Sequence, residues 1–309
     1  MSISCADLSK KYGRKTALEN ISLTIADGKV TGLVGPNGAG KSTFIKLLTG
    51  LIYPTTGYVS IDGFDVHAEH PEAMAHLGAI VEWPSFYPDL SARKNLAILS
   101  GGHGKKYEAK LQEVTKFLDI NDALDRKAGV LSTGMKQRLG IALALLPDSK
   151  YILLDEPANG LDPSGIVEIR NLIRDYNRKF GITVLVSSHL LSEIEMICDE
   201  LIMIVDGRLK ASGNLQQLLS GGRRIKVATT SPQETALFLQ KAFEEKREWI
   251  VSEPRYAGEG FTFLIPENCN PSQVGLELYK AGFVLSHLAG EQLTLEDFFL
   301  KKTAGEDKK

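Results

Sequence analysis

Hydrophobic and polar positions change period repeatedly along this chain, and the changes predict a strand–helix alternation. Residues 18–25 (LENISLTI) alternate as a half-buried strand does, and 30–34 (VTGLV) form the short apolar run of a buried one. A glycine-rich loop follows at 35–42, and residues 43–48 continue as helix. The pattern then predicts a strand at 57–62 ended by Gly63, a helix at 72–79 and a short strand at 79–82. From 91 to about 124 the period is helical, including the amphipathic segment YEAKLQEVTKFLDI. Beyond it come helix 136–146, strand 151–154, helix 166–179, strand 182–187, helix 192–198 and a hairpin of 201–205 with 207–212. Such alternation implies a mostly parallel sheet with helices on both faces.

The texture shifts at Ser220, Gly221 and Gly222, and a domain boundary is expected there. The remainder predicts strands at 224–229, 249–252, 260–265 and 283–287, with helices at 232–243 and 271–281. The order βαββαβ is that of a ferredoxin-like split unit, closed by a helix at 295–300. Residues 304–309 read as a frayed tail.

Composition narrows the class. A length of 309 residues suggests two domains, and 43% hydrophobic residues are ample for packed cores. With 36 basic against 38 acidic residues, no global field draws the chain to nucleic acid or an anionic bilayer. No apolar run approaches the ~18 residues a spanning helix needs, and the polar N-terminus lacks a signal-peptide stretch. Cys5, Cys198 and Cys269 are scattered without a CxxC pair, which points to a reduced, cytoplasmic compartment.

The most informative segment is Gly35-Pro36-Asn37-Gly38-Ala39-Gly40-Lys41-Ser42, followed by Thr43. It matches G-x-x-x-x-G-K-[ST] between a predicted strand and a predicted helix, the context a phosphate loop requires. Glycines let backbone N–H groups turn inward, and the helix N-terminus adds partial positive charge. Lys41 is expected to reach the β- and γ-phosphates of a nucleoside triphosphate, and the Ser42 hydroxyl to bind Mg²⁺. A second apolar strand, 151–154, ends in Asp155-Glu156. Asp155 is placed to hold the Mg²⁺ shell and Glu156 to orient or deprotonate an attacking water.

Between these two lies Leu131-Ser132-Thr133-Gly134-Met135-Lys136-Gln137-Arg138, opening a helix. With it the chain resembles the ATP-binding subunits of ABC transporters over residues 1–220, where that family carries an LSGGQ signature. Asn159-Gly160-Leu161-Asp162 resembles the D-loop, His189 the switch histidine, and Tyr12 the aromatic that stacks on adenine. The resemblance implies an α/β fold: a P-loop NTPase, ABC-type nucleotide-binding domain with a RecA-like core, antiparallel β and helical subdomains (the latter about 85–140). A small α+β accessory domain would occupy 221–303. It further implies a homodimer around two ATP–Mg²⁺, with Ser132 and Gly134 donating to the γ-phosphate in trans. Separate transmembrane permease subunits would be the partners, placing the chain peripherally on the inner face of the cell membrane.

Two departures matter. Thr133 and Met135 replace a glycine and the glutamine of the signature, and Glu82 stands where the family has its Q-loop glutamine. A glutamate there, followed by Trp83-Pro84-Ser85-Phe86-Tyr87-Pro88, resembles the bacitracin-resistance and lantibiotic self-protection branch. Leu293-Thr294-Leu295-Glu296-Asp297-Phe298-Phe299 resembles the closing helix of drug-export subunits. Glu82 offers a charged oxygen in place of a neutral carbonyl and is expected to approach the metal. Trp83, Phe86 and Tyr87 are either core packing or a partner-binding patch.

Rival classes fit less of the chain. An exporter motor for a polysaccharide, lipid, ion or small drug shares every motif. A DNA-repair or translation ATPase typically adds coiled coils, zinc modules or a tandem cassette, and no sustained heptad run is present here. A small-molecule kinase leaves the signature and His189 without purpose. His67, His70, His76 and Asp65 fit no zinc spacing and read as loop residues, and Arg223-Arg224 as a solvated strand start.

Overall fold

The computed structural model describes residues 2–220, 223–266 and 268–303. The expected linker glycines, Gly221 and Gly222, and the tail 304–309 lie outside the described residues. Two compact units are present, Met1–Asn214 and Leu215–Lys309.

The first unit runs β1 (Ile3–Tyr12), β2 (Lys15–Ile25), β3 (Val30–Val34), α1 (Lys41–Leu48), β4 (Thr56–Ile61) and β5 (Phe64–Asp65). It continues α2 (His70–Met74), β6 (Leu77–Ile80), α3 (Ala92–Ser100), α4 (Gly104–Phe117), α5 (Thr133–Leu145) and β7 (Tyr151–Leu154). It ends with α6 (Pro163–Phe180), β8 (Thr183–Ser188), α7 (Leu191–Ile197), β9 (Glu200–Val205) and β10 (Arg208–Asn214).

Two sheets share one core. An antiparallel sheet has the order β2-β1-β4-β5, and the other sheet the order β10-β9-β3-β8-β7-β6, parallel except for β10. The helix α1 buries Phe44, Ile45, Leu47 and Leu48 in the cluster formed by Leu8, Leu18 and Val59 of one sheet and Leu33 and Leu185 of the other. Only its Ser42, Thr43 and Lys46 face outward. Each apolar side chain buried there contributes roughly 1.5–3 kcal/mol, so α1 is fixed by packing despite its short length. The fully buried Tyr151 donates its hydroxyl to Asp62 at the end of β4, tying the sheets together. Burial first, and the Asp62 carboxylate second, push the Tyr151 phenol above its ordinary pKa.

The second unit runs α8 (Leu215–Ser220), β11 (Arg223–Thr229), α9 (Pro232–Glu244), β12 (Arg255–Ala257), β13 (Gly260–Ile265), α10 (Pro271–Lys280), β14 (Leu285–Gln292) and α11 (Leu295–Thr303). Its antiparallel sheet has the order β12-β13-β11-β14, the arrangement of a ferredoxin-like unit. Ile225, Val227, Leu239, Phe263, Val274 and Leu278 make its separate core.

Several predicted elements need correction. Residues 249–252 are not a strand: Trp249 and Ile250 are buried in the core, and the segment meets β13 at Leu264, whose carbonyl accepts from the Val251 amide at 2.9 Å and whose amide donates to the Ser252 hydroxyl at 2.9 Å. The helix predicted at 72–79 ends at Met74, because Leu77–Ile80 pairs with β7. Arg224 is not a solvated strand start. It is half-buried, donating to Asp297 at 2.9 Å and to Thr262 at 3.0 Å. Asp297 in turn accepts from the Thr294 amide at 3.3 Å while its own amide donates to the Thr294 hydroxyl, a capping box for α11. Of the histidines read as loop residues, His70 instead opens α2, its Nδ1 2.9 Å from the Val66 carbonyl, while His67 stacks on Tyr53.

Because the two cores are separate, a chain ending at Asn214 is expected to fold and bind ATP with unchanged affinity. Calorimetric titration of the shortened chain checks this; a folded product that no longer binds refutes the division.

Candidate functional site

In a parallel sheet, the loops beyond the C-terminal strand ends lie together on one edge. Here β3 ends in the glycine-rich loop, β8 in Ser188-His189, β7 in Asp155-Glu156 and β6 in Val81-Glu82, in the sheet order β3-β8-β7-β6. That edge gathers the glycine-rich loop, Asp155, Glu156, His189 and Glu82.

The loop is sterically defined. A methyl group at Gly35 would stand 2.1 Å from the Ile204 carbonyl oxygen, and one at Gly40 would stand 2.7 Å from the Ala17 oxygen. Gly38 has open space around it but a φ of 81°, which favours glycine. The helix α1 begins with no side-chain cap and no acidic residue in its first turn. By contrast, α3, α5 and α6 are capped by Ser91, Ser132 and Asp162. Uncapped amide donors at a helix start suit an anion.

Lys41 is 5% exposed, and its ammonium donates to the Gly35 carbonyl at 2.9 Å and the Pro36 carbonyl at 3.4 Å. Its carboxylate neighbour, Glu156 Oε1, lies 3.8 Å away. A buried ammonium facing two carbonyls and one distant carboxylate is under-compensated, which favours an anionic ligand. Glu156 Oε2 in turn meets His189 Nδ1 at 3.0 Å. Glu156 therefore stands between Lys41 and His189.

Ser187, which the sequence reading assigned no role, joins the two acids. Its hydroxyl donates to Asp155 Oδ1 at 2.6 Å and accepts from the Glu156 amide at 2.8 Å. This clamp holds Glu156 at φ 48°. Glu82 also has positive φ, 63°. Most other positive-φ residues with side chains are Asp or Asn (Asp7, Asn20, Asp62, Asp119, Asp206), which tolerate that region; Glu does not. Backbone held in this way at a candidate site is stored strain.

Glu82 is exposed, and its Oε1 lies 2.6 Å from the ammonium of Lys46. That hydrogen bond raises the Lys46 pKa. Tyr12 ends β1 as an exposed residue (49%), its ring 5.0 Å from the Lys10 ammonium. Ser132 and Gly134 do not join this edge. They border an open groove of about 590 Å³ with Gly160, Leu161, Asp162 and Arg138, and no residue of the glycine-rich loop lines it. Asp162 accepts from Ser164 at 2.8 Å and the Gly165 amide at 3.1 Å, which lower its pKa in that order. Trp83 reaches the same region: a methyl at Gly160 would stand 3.1 Å from its indole.

The fold and this edge define a P-loop ATPase of the cassette type. Comparison with known proteins agrees. The family model described as ABC transporter matches residues 18–159. The bacitracin transport ATP-binding protein BcrA of Bacillus licheniformis is 33% identical over 303 residues, 98% of this chain and 97% of that one. The lantibiotic transport ATP-binding protein SrtF of Streptococcus pyogenes is 38% identical over 220 residues, 69% of this chain and 94% of that one. Among solved structures, an ATP-binding subunit of an ABC transporter is 30% identical at a TM-score of 0.64, covering 71% of this chain and 92% of its own. The dimeric cassette MJ0796 is 27% identical at 0.63, covering 69% and 98%. The chain belongs to the ATP-binding subunits of ABC transporters and is an ATPase of that family.

Ser187→Ala is expected to destabilise the first unit by about 1.5–3 kcal/mol, since a buried carboxylate loses a charge-assisted bond. Denaturant unfolding measures it, and a loss below about 0.5 kcal/mol, the scatter of ordinary surface changes, refutes the clamp.

Proposed function

We propose that this chain is the ATP-hydrolysing motor of an exporter for a peptide antibiotic or other drug, two copies closing around two ATP–Mg²⁺. The observation that carries the reading is Glu156 set between Lys41 and His189 beside the uncapped start of α1. The loop amides from Gly35 to Thr43 and the Lys41 ammonium would cradle the triphosphate, with Tyr12 stacking on the adenine. Glu156 accepts the proton of the attacking water, and His189 fixes the carboxylate that does so. Ser42, Asp155 and Glu82 form an all-oxygen donor set of the kind Mg²⁺ prefers, and they would hold it. The metal supplies charge neutralisation to the phosphates.

The groove at Ser132 and Gly134 supports closure of a second copy, because the signature residues of one chain stand apart from its own phosphate loop. Among the described residues no helix is long and apolar enough to cross a membrane, so the path for cargo would come from separate permease subunits. The chain would sit on the inner face of the membrane through them, with the exposed Trp83 and Tyr87 as the contact. The full-length match to a bacitracin transport protein supports the drug-export branch.

Glu156→Gln is expected to bind ATP normally while turnover falls by about 10²–10⁴, the usual worth of a general base. With ATP and Mg²⁺ the same variant forms a dimer, and adding Ser132→Arg prevents it, because a bulky cation blocks the self-complementary face. Light scattering reads the outcome; a monomer for Glu156→Gln at saturating ATP contradicts the sandwich.

Glu82→Ala is expected to lose both Mg²⁺-dependent hydrolysis and transport-dependent drug tolerance, since the oxygen donor goes. Wild-type behaviour in both assays removes Glu82 from the site.

A further inference from the structure

The helix that carries the phosphate loop presents a second cation. Ser42 and Lys46 are four residues apart on α1, hence on one face and one turn, about 5.4 Å, apart. They share the outward face, whereas Phe44, Ile45, Leu47 and Leu48 are buried. The Lys46 ammonium lies 2.6 Å from Glu82 Oε1, with the two side chains 31% and 63% exposed. An ion pair so exposed contributes little to stability. Yet the Glu82 backbone sits at φ 63°, a conformation glutamate does not choose unaided. The pair is therefore a poor stabilising device and a good electrostatic one.

We propose that Lys46 is a positioning residue of the nucleotide site: it neutralises and orients Glu82, so that the pair presents one carboxylate oxygen without net charge. The inference rests on reading Glu82 as an oxygen donor to the site. A glutamine offers one carbonyl oxygen and no charge. A lone glutamate adds a negative charge to an edge that already holds Asp155 and Glu156 against Lys41 and must accept a polyanion. Pairing with Lys46 restores the neutrality of a glutamine while leaving an oxygen to give. The Lys46 ammonium occupies Oε1, which directs Oε2 as the donor.

The charge count makes the test a cycle. Lys46→Met keeps the aliphatic stem and leaves the edge one charge more negative, and Glu82→Gln alone leaves it one charge more positive. Lys46→Met with Glu82→Gln matches the unmodified pair. The Glu156→Gln chain, in which turnover is expected to be slow, is titrated with ATP by calorimetry in EDTA and again in Mg²⁺. In EDTA, Lys46→Met is expected to weaken ATP binding about tenfold, the size of one uncompensated charge near a polyanion. Lys46→Arg retains the affinity, and the charge-matched double variant returns to within about twofold, since the coupled pair is then removed as a unit. A Lys46→Met loss of the same size whether residue 82 is Glu or Gln overturns the proposal, because Lys46 then acts on the nucleotide directly. A silent Lys46→Met overturns it as well. Failure of the underlying reading is seen separately, as Mg²⁺-stimulated binding that survives Glu82→Ala.

Discussion

The nucleotide site depends on one constraint: the backbone between β3 and α1 has no room for side chains where it passes its neighbours. At Gly35 the chain runs against the Ile204 carbonyl of β9, and at Gly40 against Ala17 and Leu18 of β2. The loop is thus gripped between the two sheets, and α1 is driven into their common core by Phe44, Ile45, Leu47 and Leu48. Rigid placement has a chemical consequence. The first amides of α1 cannot be moved to find other partners, and no side chain caps them. Orphan donors at a fixed position are a standing attraction for phosphate.

The carboxylates are arranged by a different device. Strand ends of a parallel sheet deliver Asp155, Glu156 and Glu82 to one edge, but delivery alone leaves them pointing as the strands dictate. Left-handed backbone at Glu156 and Glu82 changes that direction. Each such residue costs of order 1–3 kcal/mol, and something must offset it. At Glu156 it is the Ser187 hydroxyl on the amide and the contacts to Lys41 and His189. At Glu82 the contact seen is the Lys46 ammonium. At Glu156 the strain is balanced by polar contacts drawn from β8 and α1, the elements that flank it, whereas the exposed Lys46 pair offsets little of it at Glu82.

How much of this was legible in the sequence follows from the range of each interaction. The phosphate loop is a local motif, so its spacing declares it, and the buried strand 151–154 is seen with the bounds its apolar run predicts. The first strand was invisible because its partners, β2 and β4, lie on either side of it and half its residues are polar. The apolar run at 249–252 signalled burial, which Trp249 and Ile250 achieve without a ladder. Period distinguishes strand from helix only when the segment is long enough, which is also why 72–79 misled. Ser187 closes an apolar strand beside His189, a faint signal that gains meaning only when β7 is known to be its neighbour. Lys46 gave none: its partner is 36 residues away in sequence and reaches it through the fold.

What a single chain lacks is as informative as what it holds. Lys41, Asp155, Glu156 and His189 form a connected group at the strand edge. Ser132, Gly134 and Asp162 face a different opening, with Ser132 and Asp162 capping their own helices. Donors at the start of α5 are thus presented outward, on a surface that this chain's own phosphate loop does not share. Two separate surfaces on one chain suit the proposed closure of a second copy, in which each would meet its complement across a two-fold axis. Trp83 lies against Gly160, between the Glu82 loop and the signature-side groove. A displacement of the loop that carries Glu82 would therefore press on the segment leading to Asp162. Under the proposed function, coupling between Glu82 and the Ser132 groove would need no long pathway, only the contact of one indole with one glycine.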